Sequence, residues 1–167
     1  MVHRAVCPGS FDPITMGHVD IFRRAAQQFD EMVVLVTGNP NKPSGLFSIS
    51  ERVELAEKAV ADLPNVTVDW WGGLLVDYTT KHDIGVIVKG LRSALDYEYE
   101  VPMAQMNRSL SGVDTMFFMT NPKYGHVSST LSRIGSCRSA SGTMASACSA
   151  KAWRMDASVT RPLPRAR

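Results

Sequence analysis

Pro8-Gly9-Ser10-Phe11-Asp12-Pro13-Ile14-Thr15-Met16-Gly17-His18 decides how this chain is read. The apolar run Ala5-Val6-Cys7 leads into it, and an amphipathic segment, Val19 to Phe29, leaves it. The order is strand, glycine-bearing turn, helix. The first turn of a helix carries N–H groups without partners and the positive end of the helix dipole, so it attracts phosphate. Ser10 and Thr15 add hydroxyls, and His18 adds a ring nitrogen. The stretch reads as a phosphate site at the end of the first strand. The same residues also fit an ordinary turn closed by a capping histidine.

Working outward, Phe22, Ala25, Ala26 and Phe29 recur at the spacing of one buried helical face. Met32 to Val36 is a continuous apolar run, as expected of a strand covered on both faces. Ser48 with Glu51 three residues later predicts a capping box. A second helix carrying Val53, Ala56, Val60 and Leu63 follows and stops near Pro64-Asn65. Val66 to Trp70 is a third strand, Leu74 to Lys81 a short helix, and Val86-Ile87-Val88 a fourth strand. Tyr97, Val101, Ala104 and Leu110 mark one face of a longer helix with Pro102 inside it, and Thr115 to Thr120 is a fifth strand. Strands alternating with helices predict an α/β fold, a doubly wound, five-stranded parallel sheet. Ligands of such sheets bind beyond the strand ends where strand order reverses. Polar loops at 8–18, 89–92 and 124–130, with a fourth at 39–45 carrying Lys42, are expected on that one edge.

The charge balance divides the chain. Residues 1–131 hold 11 Lys or Arg against 15 Asp or Glu, and the last 36 residues hold seven against one. The net charge of +2 therefore reflects the tail and gives no ground for a nucleic-acid partner. No apolar stretch approaches the ~20 residues needed to span a bilayer. Met1-Val2-His3-Arg4 is too short for a signal peptide's apolar region, and Cys7, Cys137 and Cys148 show no paired spacing. A cytoplasmic protein without a membrane partner is expected.

The opening turn lacks both G-x-G-x-x-G and G-x-x-x-x-G-K-[ST]. Thr15-Met16-Gly17-His18 instead resembles the [H/T]-x-G-H motif of the nucleotidyltransferases, and Val127-Ser128-Ser129-Thr130 resembles their I-S-S-[ST] motif. With Pro8 to Pro13, Lys89-Gly90-Leu91-Arg92, Asp96 to Glu100 and Met103 to Arg108, residues 4–131 resemble the bacterial phosphopantetheine adenylyltransferases. The resemblance implies a Rossmann-like transferase that moves the adenylyl group of ATP, with Mg²⁺, onto 4′-phosphopantetheine in coenzyme A biosynthesis. It implies His18 as the catalytic, transition-state-stabilising residue. ATP would be bound by Ser10, Phe11, His18, Gly90, Leu91, Arg92, Glu100 and the turn Tyr124, Gly125, His126, Val127, Ser128, Ser129, Thr130. The acceptor substrate would be held by Ser10, Lys42, Leu75 and Lys89, the last standing where many members carry arginine. No carboxylate in these motifs suggests a protein-held metal, and a homohexamer is implied. Read singly, Ser128 to Thr130 also fit a helix cap, and Arg92 with Glu100 a surface pair. A related nucleotidyltransferase with another phosphate acceptor, and a non-catalytic nucleotide-binding remnant, remain the alternatives.

The resemblance stops after Leu131. Residues 132–167, rich in Ser, Ala and Arg, follow no helical or strand period. They read as a disordered basic tail or as the product of a changed reading frame, separate from a domain spanning 1–131.

Overall fold

The computed structural model describes residues 3–38 and 45–124. The boundary near residue 131 and the tail beyond it lie outside the described residues. Among the described residues, five strands alternate with four helices: β1 (Arg4–Gly9), α1 (Met16–Ala26), β2 (Glu31–Thr37), α2 (Ile49–Val60), β3 (Val66–Trp71), α3 (Leu75–Lys81), β4 (Val86–Leu91), α4 (Ala94–Ser111) and β5 (Asp114–Met119). A short 3₁₀ turn, Pro122–Tyr124, ends the described chain. The strands form one parallel sheet in the order β3-β2-β1-β4-β5. The chain thus winds outward from β1 to one side, then returns to its other side, and the order reverses between β1 and β4.

The alternation of side chains explains the apolar runs. Ala5, Cys7, Val34, Val36 and Val88 join Phe22, Ala25 and Ala56 in a core on the face covered by α1 and α2. Val6, Leu35 and Ile87, one residue out of step, pack with Tyr78 of α3 and with Ile84 and Val113 on the other face. Met32 to Val36 has no polar alternation because both faces are covered. Phe22 is 1% exposed, and burying such a side chain contributes about 2–3 kcal/mol. The capping box is present: Ser48 Oγ accepts from Glu51 N at 3.3 Å, and Glu51 Oε2 accepts from Ser48 N at 2.8 Å.

The sheet is joined unevenly. β1 and β2 stay in register over six residue pairs, as do β4 and β5. β1 and β4 pair only at Ala5–Val86 and Val6–Ile87. Beyond that point the two central strands no longer pair, and a cleft opens there.

Three expectations need correction. Lys89, Gly90 and Leu91 do not lie in a loop, because pairing with Phe117, Phe118 and Met119 keeps them extended in β4. α1 begins at Met16, within the stretch read as the turn, because Thr15 is its cap. The face of α4 expected to be buried is largely open: Tyr97 and Leu110 are exposed, Val101 and Ala104 are half-buried, and only Asn107 is buried. α4 lies over β4 and the edge strand β5, so its apolar row has too little sheet beneath it; Tyr97 meets the Phe117 ring at 5.6 Å. Pro102 sits inside α4, which continues through it to Gly112, whose φ of 74° ends the helix in the left-handed conformation.

Candidate active site

The cleft between the separated ends of β1 and β4 has a volume of about 620 Å³. It is the place where a doubly wound sheet receives its ligand. Of the residues singled out from the sequence, Ser10, Phe11, His18, Leu75, Lys89, Gly90, Arg92, Glu100 and Tyr124 line it. Leu91 does not: its side chain is 5% exposed in the interior, and its carbonyl accepts from Thr120 N at 2.7 Å. Lys42, Gly125, His126, Val127, Ser128, Ser129 and Thr130 lie outside the described residues.

His18 is the third residue of α1. Its Nδ1 accepts from the Thr15 backbone N–H at 3.0 Å and lies 3.1 Å from the Thr15 hydroxyl. A ring nitrogen that accepts from an amide is unprotonated, so the neutral ring carries its proton on Nε2. Burial, and secondarily the nearby positive charge of Arg92, lower the His18 pKa to about 4. At neutral pH the cleft therefore holds an uncharged imidazole whose Nε2–H is a hydrogen-bond donor. Phe11 fixes that ring from the side, edge to face at 5.2 Å, and meets Phe22 in the same way at 5.4 Å. Phe11 itself is 4% exposed with φ of 42°. Its ring occupies the space over Gly9, where a Cβ would lie 2.7 Å from Phe11 Cζ. Gly9 is therefore required for close approach, and Phe11 serves the cleft as a wall of the imidazole pocket.

Two cations enter from the β4 side, and each already has a carboxylate of α4. Arg92 donates to Asp96 three times, from its backbone N at 2.9 Å, Nε at 3.0 Å and Nη2 at 2.9 Å. This bonding holds the Asp96 carboxyl below its usual range. Lys89 Nζ lies 3.1 Å from Glu100 Oε2. The surface pairing of Arg92 with Glu100 admitted by the sequence is thus replaced by two separate pairs, since Asp96 and Glu100 stand one helical turn apart on α4. These carboxylates occupy positions that anionic phosphate oxygens can take.

Sequence reasoning did not single out Thr37, Asp96, Tyr99 and Thr120 as site residues, yet all four line the cleft. Thr37 and Thr120 stand at the carboxyl ends of β2 and β5, and that position was the available signal. Asp96 and Tyr99 are on the cleft side of α4, within the motif already read.

This fold and cleft define the class. Residues 6–134 match the model of the cytidylyltransferase-like family. A bifunctional NMN adenylyltransferase/ADP ribose pyrophosphatase from Francisella tularensis shares the fold with a TM-score of 0.60 at 18% identity, covering 81% of this chain and 42% of that one. A lipopolysaccharide core biosynthesis protein from Thermoplasma volcanium does so with a TM-score of 0.54 at 20% identity, covering 72% and 98%. Among curated proteins, the phosphopantetheine adenylyltransferase of Corynebacterium diphtheriae is 67% identical over 130 residues, which are 78% of this chain and 82% of that protein. That of Corynebacterium efficiens is 69% identical over 128 residues, 77% and 80% of the two chains. The chain belongs to the phosphopantetheine adenylyltransferase family, within the cytidylyltransferase-like class.

Proposed function

We propose that the chain transfers the adenylyl group of ATP to the phosphate of 4′-phosphopantetheine, giving dephospho-coenzyme A and pyrophosphate. A phosphate oxygen of the acceptor forms the new bond to the α-phosphorus. The bond from that phosphorus to the α–β bridging oxygen breaks, and pyrophosphate leaves with the electron pair. The substrate is its own nucleophile, so the protein supplies position and charge stabilisation. The observation that carries the reading is the neutral imidazole of His18 sharing one cleft with Lys89 and Arg92.

His18 is the catalytic residue: Nε2–H donates to the α-phosphate as charge develops there, and the Thr15 amide keeps the ring in that tautomer. Arg92 exchanges Asp96 for ATP phosphate oxygens, with Gly90 beside it; Glu100 and the turn from Tyr124 to Thr130 serve the rest of the ATP molecule, while Leu91, buried, only holds that run of β4 in place. Lys89 and Lys42 serve the acceptor's phosphate end, Leu75 its apolar arm, and Ser10 contacts both substrates. Magnesium is a companion of ATP. The described residues contain no group of three or more candidate metal ligands, and Asp96 and Glu100 are each bonded to a cation, so no step is assigned to a protein-held metal. No helix among the described residues is long and apolar enough to cross a membrane. A cytoplasmic homohexamer is the setting this reading assigns to the enzyme.

The test is pyrophosphate release from ATP and Mg²⁺ with 4′-phosphopantetheine. Release that requires phosphopantetheine and collapses in His18→Ala supports the reading. Release with another acceptor alone, or ATP binding without release, refutes it.

A further inference from the structure

One charged pair stands behind the cleft and outside its lining. Asp12 and Arg52 are 7% and 8% exposed, and Arg52 Nη2 lies 3.5 Å from Asp12 Oδ2. Asp12 accepts from the backbone N–H groups of Leu46 and Phe47, both at 3.0 Å. Arg52 Nε donates to the Phe47 carbonyl at 2.8 Å, and Nη1 donates to the Ser10 carbonyl at 3.3 Å. A Cβ on Gly45 would come within 1.8 Å of Arg52 Nη2. The chain is thus pared to bare backbone where the guanidinium passes.

Stability alone is a poor reason for this arrangement. Two buried charges lose hydration that their attraction only just repays, and an apolar pair of the same volume often does as well or better. The charged pair supplies direction. The planar guanidinium reaches two carbonyls and a carboxylate at once, which a lysine cannot reproduce. One of those carbonyls belongs to Ser10, the exposed residue where β1 gives way to the turn. Pinning it fixes the peptide plane between Ser10 and Phe11, because C=O and N–H of one trans peptide point to opposite sides.

We propose that Arg52, held by Asp12, is a positioning residue for adenylyl transfer, acting through Ser10. The proposal rests on the reading of Ser10 as a contact to both substrates. Arg52 sets the orientation in which the Ser10 hydroxyl meets them. Small displacements of such a contact cost rate well beyond what they cost in stability.

A double-mutant cycle between Arg52→Lys and Ser10→Ala tests this, with kcat and KM for ATP and for phosphopantetheine measured beside the thermal midpoint. The expected result is a loss of about 10–100-fold in kcat/KM for Arg52→Lys, and little further loss when it is added to Ser10→Ala. Losses that multiply in the double variant overturn the proposal while leaving the role of Ser10 intact. Unchanged kcat/KM in Arg52→Lys, with only the thermal midpoint lowered, overturns it too. Unchanged kinetics in Ser10→Ala overturn the reading of Ser10 and the proposal with it. Should Arg52→Lys not fold, Asp12→Asn takes its place in the same cycle, since it loosens the guanidinium without changing side-chain volume.

Discussion

Lowering the pH from 7 to 5 perturbs His18 in a way the cleft makes calculable. In the unfolded chain its pKa is the ordinary 6.5, and in the folded protein burial and Arg92 bring it to about 4. The folded state therefore refuses a proton that the unfolded state accepts. The stability this represents is present above the unfolded value and is lost as pH falls from 6.5 towards 4. Between pH 7 and pH 5 the loss from this residue is up to about 2 kcal/mol. Urea unfolding at both pH values, on the wild type and on His18→Gln, isolates it, because every other titrating group cancels in the difference. The wild type should lose up to about 2 kcal/mol more than the variant. With His18 in the proposed catalytic role, catalysis should follow the same proton: at pH 6 only about 1% of folded molecules hold a charged imidazole, against about three-quarters for an ordinary histidine. kcat/KM should show no His18 titration from pH 7 down to about 5. Equal pH dependence in the two proteins, or an NMR titration of His18 centred near 6.5, would refute the reasoning.

Gly9→Ala places a methyl group 2.7 Å from the Phe11 ring; it should cost about 1–3 kcal/mol in urea unfolding and lower kcat by loosening the wall beside His18. Arg92→Ala should raise the KM for ATP about 10–100-fold, the worth of a charged hydrogen bond, measured by steady-state kinetics of pyrophosphate release. Burial pushes the Cys7 thiol up to about 12, so iodoacetamide at pH 8 should leave it unmodified in the folded protein and alkylate it in urea, as read by peptide mass spectrometry. Phe22→Ala should destabilise by about 3–5 kcal/mol in urea unfolding, since its ring is 1% exposed and in contact with Phe11.

What could be read from the chain was what short-range rules determine. Met32 to Val36 announced a strand covered on both faces because no polar residue interrupts it. Ser48 and Glu51 announced a helix start because both bonds of the box span three residues. Thr15 and His18 stood out as a hydroxyl and a ring nitrogen at a helix start, and the structure joins them directly, Thr15 N donating to His18 Nδ1 three residues on. The pairing of Lys89 with Glu100 depends on where α4 lies over β4, which no local pattern determines. Asp12 and Arg52 are 40 positions apart, in segments that meet only after the sheet has ordered them. The open face of α4 was misjudged because helical spacing identifies an apolar row without saying how much sheet lies beneath it.

The two-residue contact between β1 and β4 has a consequence for how the molecule assembles. β1, β2 and β3 are neighbours in sequence as well as in space, and so are β4 and β5, so each group can form by short loop closures. Joining the groups brings Ala5 to Val86 and yields just two register pairs. The step with the largest closure cost thus gains the fewest backbone contacts, and it is the step that creates the cleft. Sub-global opening should follow the same seam, showing in hydrogen exchange as β1–β4 amides that exchange ahead of those shared by β1 and β2. In the proposed reaction, substrates that grip both sides would act as the missing rungs of the sheet, and the protein would be most completely folded while it is at work.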